Sequence, residues 1–292
     1  MGDAIPVSND WAAVQDHSRE HPEFLYVYAV ISRRSGGLSI GINLNPDKRC
    51  NFDCVYCEVD RLTPPRITHL DLARLRRELE AMVRHVQTGG LGREPKFSDL
   101  PAPVTRTIRD IAFSGDGEPT MIAEFSACAR IVAEVRQAAN LVDTKLVLIT
   151  DAAGLDKLDV REGLRILDAN HGEVWGKLDA GTETYYRAVN RSHVRLERIV
   201  KNLTLTARER PIVIQSLFLR MHGQPMPPEE LEAYCGRLTT ITEAGGRIRE
   251  VHAYTIARPT PEPFATRLER AGLEGLAATI RSRTGLPTRV FE

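Results

Sequence analysis

The feature that most constrains the fold is a regular alternation of apolar, β-branched segments with amphipathic segments through the second half of the chain. Strands are predicted at 109–114, 144–150, 174–178, 211–219 and 248–256, and helices at 122–139, 160–168, 182–188, 196–208, 228–244 and 265–284. Strands that alternate with helices of this length form βαβ units with parallel strands. The pattern predicts an α/β fold, a partial (β/α)6 TIM-like barrel with a mainly parallel sheet.

The first half of the chain is less regular. It predicts an N-terminal arm at 1–22, a hairpin or two short strands at 24–32 and 38–44, a helix at 70–86, and a mobile insertion rich in Gly and Pro at 87–105. A length of 292 residues fits either two small domains or one large barrel. Because no internal repeat or low-complexity tract interrupts the chain, we expect a single domain over 1–292.

Composition narrows the functional class. Lys and Arg together number 39, and so do Asp and Glu, so the formal net charge is zero. This balance argues against a strongly basic nucleic-acid-binding protein. No apolar run approaches the ~18 residues that a membrane helix needs, and the polar, acid-containing first residues do not resemble a signal peptide. We therefore expect a cytoplasmic protein that does not bind membranes.

Three of the five cysteines fall within eight residues, in the segment Cys50-Asn-Phe-Asp-Cys54-Val-Tyr-Cys57. Clustered cysteines in a cytoplasmic protein indicate a metal site rather than disulfides. A structural zinc ion needs a fourth ligand, and the nearest histidine, His69, is twelve residues away without a partner. An iron–sulfur cluster accepts three thiolates when a small molecule binds the fourth iron. The spacing therefore favours an iron–sulfur cluster over zinc.

Together with Tyr56 directly before the last cysteine, this motif resembles the signature of the radical S-adenosylmethionine superfamily. Two further strings carry the resemblance, Ser-Gly-Asp-Gly-Glu-Pro-Thr at 114–120 and Lys-Leu-Asp-Ala-Gly-Thr-Glu at 177–183. They look most like the single-cluster proteins related to wyosine-type tRNA-modifying synthases. The two remaining cysteines, Cys128 and Cys235, read as core residues on helices and cannot build a second cluster, unlike the two-cluster synthases.

The resemblance implies a four-iron, four-sulfur cluster held by Cys50, Cys54 and Cys57, with S-adenosylmethionine on the fourth iron. Reductive cleavage of S-adenosylmethionine would then give a 5′-deoxyadenosyl radical that abstracts hydrogen from a small-molecule or peptide substrate. The expected partners are S-adenosylmethionine and an electron donor such as flavodoxin or ferredoxin. The alternatives are modification of a tRNA base of the wyosine type and a non-catalytic iron–sulfur redox protein.

Seven residues are candidates for cofactor binding: Tyr56, Gly117, Glu118, Asp151, Lys177, Asp179 and Gln215. By resemblance, Gly117 and Glu118 bind the methionine amino group, although an ordinary strand-to-helix turn also explains the glycines. Asp151 ends a strand where members of the superfamily tend to carry Asn.

Alternation places Lys177 and Asp179 on one face of a strand, where they either grip a zwitterion or form an ion pair at the surface. Gln215 interrupts an apolar strand and must find a partner if it is buried, so it is a candidate cofactor contact. His252 and Tyr254 alternate on the last predicted strand and are either substrate contacts or core residues. A basic stretch at 187–201 indicates either a solvated helix face or a phosphate-binding surface.

Overall fold

The structure, a computed structural model, describes residues 7–8, 11–16, 21, 23–65, 67, 69–258 and 260–292. The chain forms two compact units. The first comprises Met1–Arg49, Thr63–Leu148 and Leu158–Glu173, and the second Cys50–Leu62, Ile149–Lys157 and Val174–Glu292. Most of the predicted arm at 1–22 lies outside the described residues; within them, helix α1 spans Ala12–Gln15.

The strands of the first unit are β1 (Val27–Ser32), β2 (Gly37–Ile42), β3 (Ile108–Phe113) and the start of β4 (Lys145–Thr150). Its longer helices are α2 (Leu72–Gln87), α3 (Ala102–Arg106), α4 (Phe125–Ala138) and α5 (Leu158–Asp168). Strand β1 pairs with β2 antiparallel, whereas β2 with β3 and β3 with β4 pair parallel. The predicted hairpin is confirmed, and its turn uses positive φ angles at Gly36 and Gly37 that glycine adopts without strain.

The second unit carries most of β5 (Gly172–Lys177), β6 (Ile212–Leu217), β7 (Leu219–Met221), β8 (Ile248–Tyr254), β9 (Ala265–Arg267) and β10 (Thr288–Phe291). Its helices are α6 (Glu183–Asn190), α7 (Leu196–Glu209), α8 (Pro228–Glu243) and α9 (Arg270–Thr284). The pairs β5–β6, β6–β8 and β8–β10 are parallel, and β7–β9 is a separate antiparallel pair. The predicted α/β class with a mainly parallel sheet is confirmed.

Two predicted segments differ from the structure, and one strand was not predicted. The helix predicted from residue 265 begins at Arg270, because residues 265–267 form β9 and pair with β7. The strand predicted at 211–219 ends at Leu217, and β7 follows it as a separate short strand. The four-residue β10 was not predicted, since a strand so short carries too little alternation to be detected.

The predicted mobile insertion at 87–105 contains a 3-10 turn at Leu91–Arg93 and the start of α3. Leu91 and Phe97 within it are buried in the first unit, while its mobility stays a prediction. The buried Cys128 and Cys235 lie on α4 and α8, as predicted for core residues. In the described part of the chain, every helix is too short or too polar to cross a membrane.

Candidate functional site

The cysteine loop, defined as residues 50–57, is attached to the C-terminal end of α6 within the second unit. The backbone N–H of Asp53 donates to the Asn190 carbonyl at 3.0 Å, and that of Val55 donates to the Val189 carbonyl at 2.9 Å. The Ser192 hydroxyl donates to the Asn51 carbonyl at 2.9 Å. An irregular loop needs such partners for its backbone groups, so the end of α6 fixes the path of the cysteine loop.

Each of the three cysteine sulfurs accepts a hydrogen bond from an N–H group. The sulfur of Cys50 accepts the backbone N–H of Phe52 at 3.4 Å, and that of Cys57 accepts the Arg61 guanidinium at 3.8 Å. The Cys54 sulfur accepts Nδ2 of Asn190 at 3.3 Å. Burial, the largest cause, raises the pKa of the Cys54 thiol to about 11. The thiol is therefore neutral in the metal-free chain, and metal binding would have to displace its proton.

A buried ion pair lies beside the Cys54 sulfur. The Lys177 ammonium is 3.7 Å from Oδ2 of Asp179, and their side chains are 17% and 0% exposed. The ammonium also donates to the Tyr254 hydroxyl at 3.1 Å and lies 4.7 Å from the centre of the Tyr56 ring. Burial, the largest single cause, lowers the pKa of Lys177, but the interactions with Asp179, Tyr254 and Cys54 together outweigh it, so the net pKa is raised. The pair is thus charged and buried, and the sequence-based alternative of a surface ion pair is wrong.

The Asp179 carboxylate receives three donors besides the lysine. Oδ1 accepts the backbone N–H of Leu217 at 2.9 Å, and Oδ2 accepts Nδ2 of Asn190 at 2.8 Å and the hydroxyl of Tyr56. Burial and the nearby Asp179 charge raise the pKa of Tyr56 well above its usual value, so its hydroxyl remains a donor. These hydrogen bonds fix the orientation of the carboxylate and stabilise its negative charge.

Nε2 of Gln215 and Oδ1 of Asn190 are among the buried polar atoms of this unit that lack a hydrogen-bond partner in the described part of the chain. Gln215 is 1% exposed and Asn190 0% exposed. On adjacent parallel strands Gln215 is paired in register with Lys177 on one side and with His252 on the other, so these side chains share one face of the sheet. A buried donor or acceptor left without a partner costs about 1–3 kcal/mol, which indicates that a polar ligand completes the site.

Asp151 lies close to the first cysteine, within the second unit. Its Oδ2 is 4.0 Å from the sulfur of Cys50, and its Oδ1 accepts the backbone N–H of Ala153 at 2.8 Å. Between them, Ala152 has a positive φ of 68°, which is unusual for a residue with a side chain. Nδ2 of Asn202 donates to the Ala152 carbonyl at 2.9 Å and holds this turn.

Gly117 and Glu118 belong to the first unit. A Cβ atom at Gly117 would lie 2.0 Å from the carbonyl oxygen of Arg49, so the backbone there requires glycine. Glu118 is buried, and its Oε1 accepts the backbone N–H of Thr120 at 3.0 Å and the Thr120 hydroxyl at 2.6 Å. The carboxylate thus caps the 3-10 turn Pro119–Met121. The local geometry accounts for a strand-to-helix turn, and a role in cofactor binding stays a prediction.

The predicted basic stretch is largely neutralised by carboxylates. Three of its four arginines form ion pairs: Arg187 with Glu183 at 2.8 Å, Arg191 with Glu262 at 2.5 Å, and Arg198 with Asp156 at 3.1 Å. This pairing favours the solvated-face interpretation of the stretch over a phosphate-binding surface.

Sequence reasoning missed Asn190 and Arg61. Asn190 stood inside the basic stretch and carried no signal of its own, because its contacts to Cys54 and Asp179 span 136 and 11 residues. Arg61 follows Cys57 by four residues, a spacing that acquires meaning only when the loop geometry is known.

No family model matches the chain. Three curated proteins are similar to parts of it. GTPase Obg of Brachyspira hyodysenteriae is 25% identical over 58% of this chain and 21% of its own length. UPF0026 protein MJ1312 of Methanocaldococcus jannaschii is 26% identical over 57% of this chain and 44% of its own length. The chain therefore spans less than half of these two relatives.

The UPF0026 protein slr1464 of Synechocystis is 26% identical over 85% of this chain and 81% of its own length. Among solved structures, TYW1 with a lysine-pyruvate adduct bound matches with a TM-score of 0.53 and 14% identity, over 86% of this chain and 74% of that chain. A likeness at this identity shows the fold, and the predicted partial TIM-like barrel class is confirmed. The relationship to the radical S-adenosylmethionine superfamily stays a prediction from the cysteine motif.

The donor set fits an iron–sulfur cluster with an open position. Cys50, Cys54 and Cys57 lie in one loop and form no disulfide, and buried polar atoms of the same unit, such as Nε2 of Gln215, have no partner among the described residues. Across the residues that the structure describes, no three His, Cys, Asp or Glu side chains are gathered closely enough to hold a metal ion. Cluster binding would therefore have to draw the three sulfurs together.

Proposed function

We propose that the chain is a radical S-adenosylmethionine enzyme that acts on a small-molecule or peptide substrate. The observation that carries the proposal is the buried Lys177–Asp179 pair beside the Cys54 sulfur, in the unit that also holds the buried, unpartnered Nε2 of Gln215. Buried charges are costly, and an iron–sulfur electron carrier has no need of them. A site that binds a charged ligand next to the thiols does need such buried charges.

When bound to Cys50, Cys54 and Cys57, a four-iron, four-sulfur cluster would supply the electron that cleaves S-adenosylmethionine to methionine and a 5′-deoxyadenosyl radical. The chain's own residues have simpler tasks. The cysteine loop provides three thiolates and leaves one coordination position for the ligand. The end of α6 keeps the loop in place through its hydrogen bonds to Asp53 and Val55.

The zwitterionic methionine part of the ligand offers a carboxylate and an ammonium group. The Lys177 ammonium is suited to the carboxylate, and the Asp179 carboxylate to hydroxyl or ammonium donors. Nε2 of Gln215 is a free donor, and Oδ1 of Asn190 a free acceptor, among the described residues. The buried ring of Tyr56 lies against the Lys177 ammonium and covers it on one side. By resemblance, Gly117, Glu118 and Asp151 remain candidate cofactor-binding residues.

The tRNA alternative receives less support, because three of the four arginines of the basic stretch pair with carboxylates and only 6% of residues are aromatic. Nucleotide hydrolysis of the kind named for GTPase Obg is not proposed. A phosphate-binding loop needs Ser or Thr after its Gly-Lys pair, whereas Gly176-Lys177 is followed by Leu178.

Binding of S-adenosylmethionine to the iron-loaded protein tests the proposal. The variant Lys177→Met should weaken binding about tenfold or more, because it removes a charge-assisted contact to the carboxylate. The matched control is Lys145→Met, which removes a lysine whose ion pair with Glu173 lies in the first unit. Equal affinity of wild type and Lys177→Met, measured anaerobically by equilibrium dialysis, would show that the lysine does not bind the cofactor.

A further inference from the structure

We propose that Asn190 and Arg61 set the reduction potential of the cluster by donating hydrogen bonds to its cysteine ligands. This inference rests on the proposed function. The structure gives every cysteine of the loop one N–H donor, and two of these donors are side chains. They differ in charge and in exposure, which allows their effects to be separated.

Asn190 is the neutral, buried donor. Its Nδ2 lies 3.3 Å from the Cys54 sulfur, within the range of an N–H···S hydrogen bond, and the residue is 0% exposed. The same amide group is held by Oδ2 of Asp179 at 2.8 Å, so its orientation is fixed. A fixed donor aimed at a thiolate stabilises the more negative state of the group that the thiolate binds.

Arg61 is the charged, partly exposed donor. Its Nη2 lies 3.8 Å from the Cys57 sulfur, and its Nε lies 3.8 Å from Oδ1 of Asp53, with the Arg61 side chain 28% exposed. A guanidinium keeps its proton in proteins, so Arg61 places a positive charge beside the Cys57 sulfur. A positive charge beside a ligand sulfur also favours the reduced state, and solvent ions screen this effect.

Reduction adds one electron to the cluster, supplied by dithionite in the measurement below. Removing either donor should therefore lower the reduction potential. At the potential where the wild type is half reduced, we expect the ratio of reduced to oxidised cluster to fall about tenfold, which is 59 mV for a one-electron couple. High salt should reduce the difference in reduction potential between the wild type and an Arg61→Gln variant. It should leave the difference between the wild type and an Asn190→Ala variant unchanged.

The experiment is a dithionite titration of iron-loaded protein followed by electron paramagnetic resonance, at low and high salt, with iron content measured for each variant. The variants are Asn190→Ala, Arg61→Gln and Arg61→Lys, which restores the charge. The control is Ser192→Ala, which removes the bond from Ser192 to the Asn51 carbonyl without touching a sulfur. We expect lower potentials for Asn190→Ala and Arg61→Gln, recovery in Arg61→Lys, and no shift in Ser192→Ala.

The outcomes distinguish this inference from the proposed function. A wild-type chain that binds no iron would overturn both. Variants that load iron like the wild type and keep its potential would overturn the inference alone, and so would an equal shift in Ser192→Ala, because a loosened loop would then explain the data. If Asn190→Ala fails to load iron, the two Arg61 variants test the inference: a lower potential in Arg61→Gln with recovery in Arg61→Lys supports it, and an unchanged potential in Arg61→Gln overturns it.

Discussion

The ion pair of Lys177 and Asp179 makes a quantitative prediction about stability that requires no cofactor. Asp179→Asn removes the charge that balances a buried ammonium and places an amide N–H where Tyr56 and Asn190 already donate. Breaking a buried pair by neutralising one partner costs about 3–5 kcal/mol. Lys177→Met leaves the Asp179 carboxylate with its three other donors and fills the same volume, so its cost should be ~1–2 kcal/mol.

The double variant should be less destabilised than the sum of the single variants, by ~1–3 kcal/mol, because the second change removes a charge that the first has left unpaired. Urea unfolding of the metal-free protein, followed by tryptophan fluorescence, measures all three, and Trp175 reports from the same unit. Additive free energies of unfolding, or a larger loss from Lys177→Met than from Asp179→Asn, would refute the reasoning.

Further predictions concern the first unit. Gly117→Ala should destabilise the protein by ~1–3 kcal/mol, because the new Cβ meets the carbonyl of Arg49. The control is Gly236→Ala on α8 of the second unit, where the Cβ enters open space and should stabilise the protein by ~0.5–1 kcal/mol. Thermal unfolding of both variants measures the two effects. Equal effects would contradict the cramped geometry at Gly117. Burial raises the pKa of Asp110 above its ordinary 3.8, despite hydrogen bonds from two serines. The folded state then binds the proton more tightly than the unfolded state. The contribution of Asp110 to the free energy of unfolding therefore falls as pH rises from 3.8 through the folded pKa. Asp110→Asn should remove this slope in urea unfolding across that pH window, and an unchanged slope would show that the carboxyl is not responsible.

Much of the fold follows from the sequence because its signals are local. The strand-and-helix alternation after residue 108 depends on hydrophobic periodicity, and the hairpin depends on the Gly36-Gly37 turn. The short strands β7, β9 and β10 escaped prediction because pairing with distant partners, rather than periodicity, defines them.

The candidate site likewise contains residues that the sequence predicts and residues that it does not. The cysteine spacing and the Lys177–Asp179 alternation are visible in the chain, and the structure brings Lys177, Asp179 and Tyr56 together beside Cys54. Asn190 escaped prediction because its importance arises from long-range packing of α6 on the cysteine loop. The role of Glu118 as a turn cap is also a property of local geometry that a motif cannot reveal.

The central claim is that the three cysteines support reductive cleavage of S-adenosylmethionine, and one measurement tests it most directly. Protein loaded anaerobically with iron and sulfide is mixed with dithionite and S-adenosylmethionine, and 5′-deoxyadenosine is quantified by chromatography. The account predicts product from the wild type and from Cys235→Ala, a core cysteine on α8, and none from Cys54→Ala. A fully loaded wild-type protein that binds S-adenosylmethionine and forms no 5′-deoxyadenosine, even with cell extract as a source of substrate, would contradict it.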